Sequence, residues 1–319
     1  MKVGLIDVDG HNFPNLPLMK LSAWHKSQGD SVEWYQPLFS GHLDKVYMSK
    51  VFSFSQDYEY FIDADEIEKG GSGYAISLLD SKEIYKKECD KMLSKDIEHI
   101  YPDYSIYYER VPETKKTAYG FLTRGCPRGC DFCHVANKEG KRSYKVANLS
   151  EFWKDQPFIK LLDPNITAAS ECLELFEQLV NSKSWIDFTQ GLDIRLMTRE
   201  KAELLKKMKI KSIHFAWDRY YDKEIIIPKL EEFKRVTNID YRKLSVFILS
   251  NFDTSIEQDL ERIYTVRDLG FSPYLMLYNK ENIPKGHRLR KLQRYVNCRW
   301  IFNSIDSFED YFGEVGESE

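Results

Sequence analysis

Three of the six cysteines lie close together in the sequence Thr123-Arg124-Gly125-Cys126-Pro127-Arg128-Gly129-Cys130-Asp131-Phe132-Cys133. Their spacing is C-x-x-x-C-x-x-C, and cysteine thiolates at such spacing on one tight loop converge on a metal centre. The intervening glycines and proline favour a loop whose backbone wraps closely around something. Zinc sites usually use four protein ligands, and the sequence has no second Cys or His pair of that kind. Three thiolates instead suit an iron–sulfur cube with one iron left open, as a catalytic centre requires.

This loop resembles the signature of the radical S-adenosylmethionine superfamily, C-x-x-x-C-x-aromatic-C. Cys126, Cys130 and Cys133 match its cysteines, and Phe132 stands in the aromatic place. The resemblance implies a 4Fe-4S cluster whose open iron is chelated by the amine and carboxylate of S-adenosylmethionine. It also implies reductive cleavage to a 5′-deoxyadenosyl radical, with the Phe132 carbonyl contacting the adenine amino group. A zinc loop and three unrelated thiols are the alternatives.

Composition is that of a globular protein in a reducing compartment. The chain has 319 residues, a hydrophobic fraction of 42%, a charged fraction of 30% and a net charge of −4. No apolar run approaches a membrane span, and the N-terminus has no long apolar signal region. We therefore expect a cytoplasmic protein with reduced cysteines, in which metal binding is favoured over disulfides. Cys89, Cys172 and Cys298 are scattered and are interpreted as ordinary thiols.

The first third of the sequence alternates between strand and helix patterns. Strands are predicted over 2–8, 31–35, 45–49 and 66–69, and a helix over 18–26, which indicates a Rossmann-like parallel sheet. The layout resembles the cobalamin-binding-like domain that precedes the barrel in one branch of radical enzymes. That resemblance depends on Asn12-Phe13-Pro14-Asn15-Leu16-Pro17 and on Gly70-Gly71. A charged helix capped by Asp80 or Ser81 is predicted over 81–99, and an extended segment over 101–108.

From Thr117 onward six strands alternate with amphipathic helices. The strands are predicted over 118–123, 158–162, 186–189, 212–216, 244–249 and 273–277. The helices are predicted over 149–155, 170–182, 199–208, 227–236, 256–269 and 287–297. This alternation predicts an α/β fold in which a partial (β/α)6 TIM-like barrel follows the Rossmann-like sheet. The predicted domains are 1–112, 113–300 and a C-terminal extension, 301–319.

Polar residues follow the predicted strands, where a parallel barrel places its active site. Asp163 and Asn165 occupy the position where the resembling family binds the S-adenosylmethionine amine, although a turn-forming Asp-Pro-Asn is an equal alternative. Arg195 suits the methionine carboxylate, and Gln190 or Asp193 the ribose hydroxyls, the alternative being an internal Arg–Asp pair. Asp218 and Asn251 are candidates for ribose or substrate contacts. His214 alternates with outward residues, and neither it nor His134 is expected to be a ligand.

The segment 285–299 is the most basic part of the chain. Its apolar residues recur at helical spacing, so a closing helix with a solvated basic side is favoured over an RNA-binding surface. Nucleic acid is therefore a conceivable partner that is not favoured. The acidic segment 314–319 is expected to be disordered.

These observations predict a radical S-adenosylmethionine enzyme that abstracts hydrogen from an unknown substrate and takes electrons from a donor such as flavodoxin or ferredoxin. The alternatives are a tRNA methylthiotransferase-like enzyme, a cobalamin-dependent methyltransferase and a non-enzymatic iron–sulfur redox or sensing protein. Residues 1–88 contain no cysteine, which disfavours the first of these, because such relatives carry three there. Pro14 stands where the cobalamin-binding pattern Asp-x-His-x-x-Gly would have glycine after Asp9 and His11, so we expect no cobalamin.

Overall fold

The computed structural model describes residues 1–10, 12–79 and 82–315. In the N-terminal part, four parallel strands form one sheet, in which the first strand of the chain lies between the second and the third, and the fourth lies at the edge beside the third. The strands are β1 (Lys2–Asp7), β2 (Ser31–Trp34), β3 (Leu43–Ser49) and β4 (Ala64–Gly70). Helix α1 (Leu16–Ser27) begins where Asn15 accepts a hydrogen bond from the Leu18 amide, and Pro17 in its first turn has no N–H that would need an acceptor. The predicted Rossmann-like sheet is confirmed as a parallel sheet with its first helix.

The segment between this sheet and residue 112 differs from the prediction. After β4 come α2 (Ser72–Ala75) and an antiparallel hairpin of β5 (Ile76–Leu79) and β6 (Lys82–Tyr85). In place of one helix over 81–99, the described residues of that range form β6, a 3-10 turn, Lys87–Cys89, and the short helix α3 (Lys95–Glu98). The proposed caps Asp80 and Ser81 lie outside the described residues. The prediction was wrong because charge alone suggested a helix, whereas no broad apolar stripe was present to bury one.

The tyrosine-rich segment is a 3-10 helix, Tyr104–Tyr107, and not the extended segment predicted over 101–108. Tyr104 and Tyr107 are buried in the main core, and the Tyr104 hydroxyl donates a hydrogen bond of 2.7 Å to the Phe152 carbonyl. Tertiary packing of two tyrosines on one side therefore outweighs the β preference of tyrosine.

The second sheet contains six parallel strands, which lie side by side in the order in which they follow along the chain. The strands after β6 are β7 (Thr117–Gly120), β8 (Thr123–Arg124), β9 (Tyr144–Lys145), β10 (Phe158–Leu161), β11 (Trp185–Leu192), β12 (Lys209–Ala216), β13 (Leu244–Ser250) and β14 (Ser272–Leu277). Of these, β8 and β9 form a separate antiparallel pair. The predicted strand–helix units are confirmed, but the described strands form an open sheet, so barrel closure is not found.

Helices cover one face of the six-stranded sheet. They are α5 (Cys172–Ser182), α6 (Arg199–Lys207), α7 (Lys223–Thr237), α8 (Ile256–Asp268), α9 (Arg288–Asn297), α10 (Arg299–Ser304) and α11 (Phe308–Val315), whereas α4 (Val135–Glu139) lies between β8 and β9. Alternate strand residues such as Ile159, Phe188 and Phe215 are buried and share one core with α5 to α9. The helix predicted over 149–155 is only a 3-10 turn, Leu149–Glu151. The other alternate residues of the strands form a partly exposed face.

Helix α9 has the predicted apolar side, because Leu289, Leu292 and Val296 are buried. Leu16 and Met19 of α1 join the same core as the second sheet, so packing crosses the predicted boundary at 112. That boundary falls inside a 3-10 turn, Pro112–Lys115, and the division 1–112, 113–300 and 301–319 stays a prediction. Within the described part of the chain, every helix is too short or too polar to cross a membrane.

Candidate functional site at the cysteine loop

The cysteine loop, residues 125–143, is closed at its base by the β8–β9 pair. Gly125 has φ +79°, and a Cβ on it would lie 2.2 Å from the Arg142 carbonyl oxygen. Only glycine tolerates that backbone and that approach. Glu139 fastens the base further, since its carboxylate accepts bonds from the Gly125 amide at 3.0 Å and from Arg124 at 2.9 Å. The loop is therefore a defined structural element.

The loop presents thiols that suit a metal in chemistry. Cys126, Cys130 and Cys133 are half-buried thiols that take part in no disulfide. Burial raises the pKa of the Cys130 thiol, and the charges of Asp218 and Cys126 add to the rise, while Arg195 and Arg219 oppose it. Over the described residues, however, no three His, Cys, Asp or Glu side chains converge as a metal site. The donor set fits an iron–sulfur cluster, and binding itself rests on the spacing.

Two contacts join the loop to the ends of β10 and β11. The Asn165 amide donates a hydrogen bond of 3.5 Å to the Cys126 sulfur. Arg128, which lies between two of the cysteines, forms an ion pair of 2.5 Å with Asp193. The cysteine loop therefore lies at the carboxyl edge of the six-stranded sheet, where open α/β sheets bind ligands.

Two further contacts reach β12 and β13. Asp131 lies 3.4 Å from Arg219 in an exposed ion pair. The Phe132 ring meets Phe252 edge to face at 5.3 Å, and Phe252 meets Tyr278 in the same way at 4.9 Å. An aromatic row thus runs from the loop to the ends of the last two strands. Arg128 and Phe252 were not singled out from the sequence, because their partners are distant along the chain.

Asp163 is buried and holds the strand that leads into the loop. One of its oxygens accepts bonds from the Leu122 amide at 3.1 Å and the Thr123 hydroxyl at 2.7 Å, and from the Thr123 amide. Its other oxygen is buried without a partner in the described structure. Burial raises the pKa of Asp163 to about 6, although these hydrogen bonds oppose the rise. Asp163 thus positions the loop.

Asn165 is also buried, and its contacts are with the protein. Its amide nitrogen donates to the Cys126 sulfur, and its amide oxygen accepts a bond of 2.8 Å from the Thr167 hydroxyl. A hydrogen bond to the sulfur of a cluster ligand is one of the means by which proteins adjust a cluster's potential.

Asp193, Arg195 and Asp222 form a charged network beside the loop. The Arg195 Nε bonds to Asp193 at 2.8 Å and its Nη1 to Asp222 at 2.6 Å. Burial alone would raise the pKa of Asp193, but Arg195 and Arg128 outweigh it and hold the pKa below its usual range. The internal Arg–Asp pair, left open from the sequence, is therefore present.

Asp218 is half-buried close to Cys130, and its carboxylate forms no ion pair within the described residues. Burial raises the pKa of Asp218 to about 6, with Arg195 and Arg262 opposing the rise. The fully buried Arg262 binds the carbonyls of Asp218 at 2.8 Å and Leu249 at 2.8 Å, and pairs with buried Asp259. A buried ion pair thus fixes the backbone under Asp218.

Gln190 and Asn251 lie at the periphery. Gln190 is exposed on a bulge of β11, where the register with β12 shifts between Phe188 and Leu192. The Asn251 amide donates to the Tyr278 carbonyl at 2.9 Å, and Asn251 borders a cleft of about 340 Å³ with Asn279 and His287. The site thus gathers the cysteines, Phe132, Asp163, Asn165, Asp193, Arg195 and Asp218 but does not bring Gln190 or Asn251 onto the loop.

His214 alternates along β12 with residues that face the helices, as expected from the sequence. Ile213 and Phe215 face the helices and are buried, so His214 lies on the opposite, partly exposed face of the sheet. His134 begins α4 as its N-cap.

The N-terminal sheet meets the cysteine loop through its own carboxyl edge. Lys138 of α4 donates a hydrogen bond to Ser72, which follows β4. Phe13, which follows β1, packs edge to face on Tyr119 of β7 at 5.2 Å. The Tyr107 hydroxyl donates to Asp7 at the end of β1 at 2.5 Å. The segments after β1 and β4 therefore lie against β7 and α4.

Comparisons with known proteins give little beyond this geometry. No protein-family model matches the chain, and no curated protein matches it in sequence. A solved structure with some similarity is SuiB of Streptococcus suis bound to S-adenosylmethionine, at 14% identity and a TM-score of 0.38. The match covers 67% of this chain and 53% of that one, so the chain spans about half the length of SuiB. At this score the similarity alone establishes neither a shared fold nor a shared activity.

Proposed function

We propose that this protein is a radical S-adenosylmethionine enzyme. The observation that carries the proposal is the seating of the C-x-x-x-C-x-Phe-C loop on the carboxyl edge of six parallel strands, with contacts to β10, β11, β12 and β13. A structural zinc loop has no need for a position among strand-end polar residues. A catalytic centre does, because its substrates bind there.

In this proposal Cys126, Cys130 and Cys133 would hold a 4Fe-4S cluster, and S-adenosylmethionine would be bound beside it. When bound, this pair supplies reductive cleavage to a 5′-deoxyadenosyl radical that abstracts hydrogen from the substrate. The protein's part is to orient and enclose. The buried Arg262 pair fixes the backbone at Asp218, whose unpaired carboxylate is the acceptor for the ribose hydroxyls or the amine.

The roles proposed for the remaining residues are those that their contacts support. Arg195 uses two nitrogens on Asp193 and Asp222, which leaves its other guanidinium nitrogen for the methionine carboxylate. Gln190 and Asn251 are proposed as outer ribose or substrate contacts. The Phe132 carbonyl is proposed for the adenine amino group. Asp163 and Asn165 support the loop and do not themselves bind the amine.

The electron donor is proposed to be a small redox protein such as flavodoxin or ferredoxin, and the protein is proposed to work in the cytoplasm. The N-terminal sheet is proposed to cover the site and exclude water from the radical. The contacts of Lys138 and Phe13 with the two sheets support this role.

Anaerobic reconstitution tests the cluster. We expect about four irons per chain, as for one cube, and loss of the cluster on changing Cys126, Cys130 or Cys133 to Ala. Cys298→Ala, outside the loop, is the matched control and should keep its iron. An iron content near twice that value would contradict a single cluster, because the scattered cysteines would then have to serve.

Cleavage of S-adenosylmethionine separates an enzyme from an iron–sulfur redox or sensing protein. The reduced, reconstituted protein should release 5′-deoxyadenosine and methionine, measured by chromatography. A protein that holds the cluster but releases neither product would favour the redox or sensing alternative.

A further inference from the structure

The face of the six-stranded sheet that the helices do not cover carries polar side chains in register. We call it the open face and define it by Lys160, Asp187, Ser212, His214, Ser245 and Phe247. In the strand register Lys160 lies beside Asp187, and Asp187 lies beside Ser212 on the next strand. One step further along the sheet, His214 lies beside Ser245. All six side chains are partly exposed, while their strand neighbours on the other face are buried in the core. A sheet face that packs against protein would be apolar.

The charges on this face are unevenly matched. Glu113 receives two cations, since Lys160 lies 3.1 Å and Lys211 lies 3.7 Å from its carboxylate. The Asp187 carboxylate accepts hydrogen bonds from the hydroxyls of Ser212 at 2.6 Å and Thr189 at 3.2 Å, and both go to the same oxygen. Within the described chain Asp187 has no lysine or arginine partner, so one carboxylate oxygen remains free to accept from a ligand.

A flat surface lies beside this carboxylate. The His214 ring stacks on Phe247 with centroids 4.8 Å apart and planes 12° apart, and its Nδ1 bonds to the Ser245 hydroxyl at 2.5 Å. Burial lowers the pKa of His214, so the imidazole is neutral near pH 7 and adds no repelling charge. Phe247 in turn meets Tyr274 edge to face at 5.6 Å. An aromatic ring finds a stacking partner here.

The open face leads to the cysteine loop. Ser212, His214 and Ala216 alternate along β12, and Asp218 follows two residues later, beside Cys130. At the rise of an extended strand, Ser212 and Asp218 are about 20 Å apart. Phe13 lies at the β7 end of the face, where its ring packs on Tyr119 and near Lys160. The side of β12 that carries Ser212 and His214 therefore runs towards the cysteine loop, and an elongated small molecule lying along it would extend in that direction.

We propose that the open face binds the substrate of the reaction proposed above, and that this substrate carries a primary amine that pairs with Asp187 and a flat ring that stacks beside His214 and Phe247. That the bound molecule is a substrate rests on the proposed function, whereas the existence of an amine-binding site does not depend on that function. The free carboxylate supplies the charge complementarity that selects an ammonium group over a neutral one.

Phenethylamine and its neutral counterpart phenethyl alcohol serve as probes, with binding followed by ligand-observed NMR on the protein without cluster. We expect the amine to bind about 10-fold or more tightly than the alcohol, as for a charge-assisted bond. Asp187→Asn should remove that preference, while Asp268→Asn, an exposed change on α8, should keep it.

Equal binding of the two probes to the wild-type protein would overturn the inference, even if the Asp187 variant failed to fold. So would an unchanged preference in a folded Asp187→Asn protein. The measurement needs neither cluster nor S-adenosylmethionine. Failure of S-adenosylmethionine cleavage would therefore contradict the proposed function and leave the amine site unaffected. Equal binding of the two probes would contradict the amine site and leave the proposed function unaffected.

Discussion

Two carboxyl groups at strand ends have a raised pKa for the same reason and serve different purposes. Burial raises the pKa of both Asp163 and Asp218 to about 6. One oxygen of Asp163 accepts hydrogen bonds from the Leu122 amide, the Thr123 amide and the Thr123 hydroxyl, so Asp163 holds the strand that leads into the loop. Asp218 has no such donors within the described residues and stays available. The same residue type thus supports the site in one place and is offered to a ligand in the other.

Asp163 should make stability depend on pH. Its pKa in the folded chain, about 6, exceeds its ordinary value of 3.8, so the folded state holds the proton longer. The stability this group contributes is therefore greatest below pH 4 and is lost as the pH rises through 6. We expect the unfolding free energy of the wild type, relative to Asp163→Asn, to fall by about 2 kcal/mol between pH 4 and pH 7. Urea unfolding at several pH values measures this, and parallel curves would refute it.

Asn165 should raise the reduction potential of a bound cluster, because its amide donates to the Cys126 sulfur and so favours the more negative, reduced state. A hydrogen bond is worth about 0.5–1.5 kcal/mol, so Asn165→Leu should lower the one-electron potential by about 20–60 mV. Asn303→Leu, an exposed change on α10, is the control. Redox titration followed by EPR gives the potential, and an unchanged value would mean that the contact has no electronic effect.

Arg195 should contribute to S-adenosylmethionine affinity if its remaining nitrogen binds the methionine carboxylate. Arg195→Ala is expected to weaken binding by about 1–3 kcal/mol, the range of a charge-assisted bond. The exposed Arg199→Ala provides a control of the same chemistry at the start of α6. Calorimetry on the reconstituted proteins measures both. Unchanged affinity in the Arg195 variant would make its role purely that of joining Asp193 to Asp222.

At the scale of elements, the strands and helices of the second sheet were predictable because their apolar periodicity is strong. The helices that pack on the sheet needed no distant information, since each carries its own apolar stripe. Three predicted elements were wrong: 81–99 lacks an apolar stripe of its own, and 101–108 and 149–155 contain 3-10 turns whose buried residues pack against other parts of the chain. The same distinction holds in the site. Cysteine spacing is local, whereas Arg128 with Asp193 and Arg262 under Asp218 join residues tens of positions apart.

The buried pair on α8 should be important for the ends of β12 and β13. Arg262 and Asp259 are both fully buried, and Arg262 binds carbonyls at both strand ends. Arg262→Met leaves Asp259 uncompensated and should lower the unfolding free energy by about 3–5 kcal/mol. Replacing both, as Arg262→Met with Asp259→Leu, should recover much of this loss. Urea unfolding compares the three proteins, and a single variant as stable as the double would contradict the explanation.

At the scale of the whole molecule, the N-terminal sheet presents its carboxyl edge to the cysteine loop, but its own residues already use that edge. Asp9, after β1, is buried and binds the Val51 amide and the Ser55 hydroxyl. Gly71 lies so close to the neighbouring loop that a Cβ on it would be 2.4 Å from the Lys50 carbonyl oxygen. The Gly70-Gly71 pair is thus explained by contact within the chain and needs no nucleotide tail to account for it.

We therefore predict that the N-terminal sheet does not hold cobalamin, although its strand order suits such a domain. A base-off corrin requires a histidine on the loop after β1, and His11 there lies outside the described residues. Pro14 fixes its own φ, restricts Phe13 and serves the start of α1, so this loop has little freedom to approach a corrin. After incubation with hydroxocobalamin and desalting, the visible spectrum should show no stoichiometric corrin band. A band that appears in the wild type and is lost in His11→Ala would overturn this prediction and make methyl transfer the leading hypothesis.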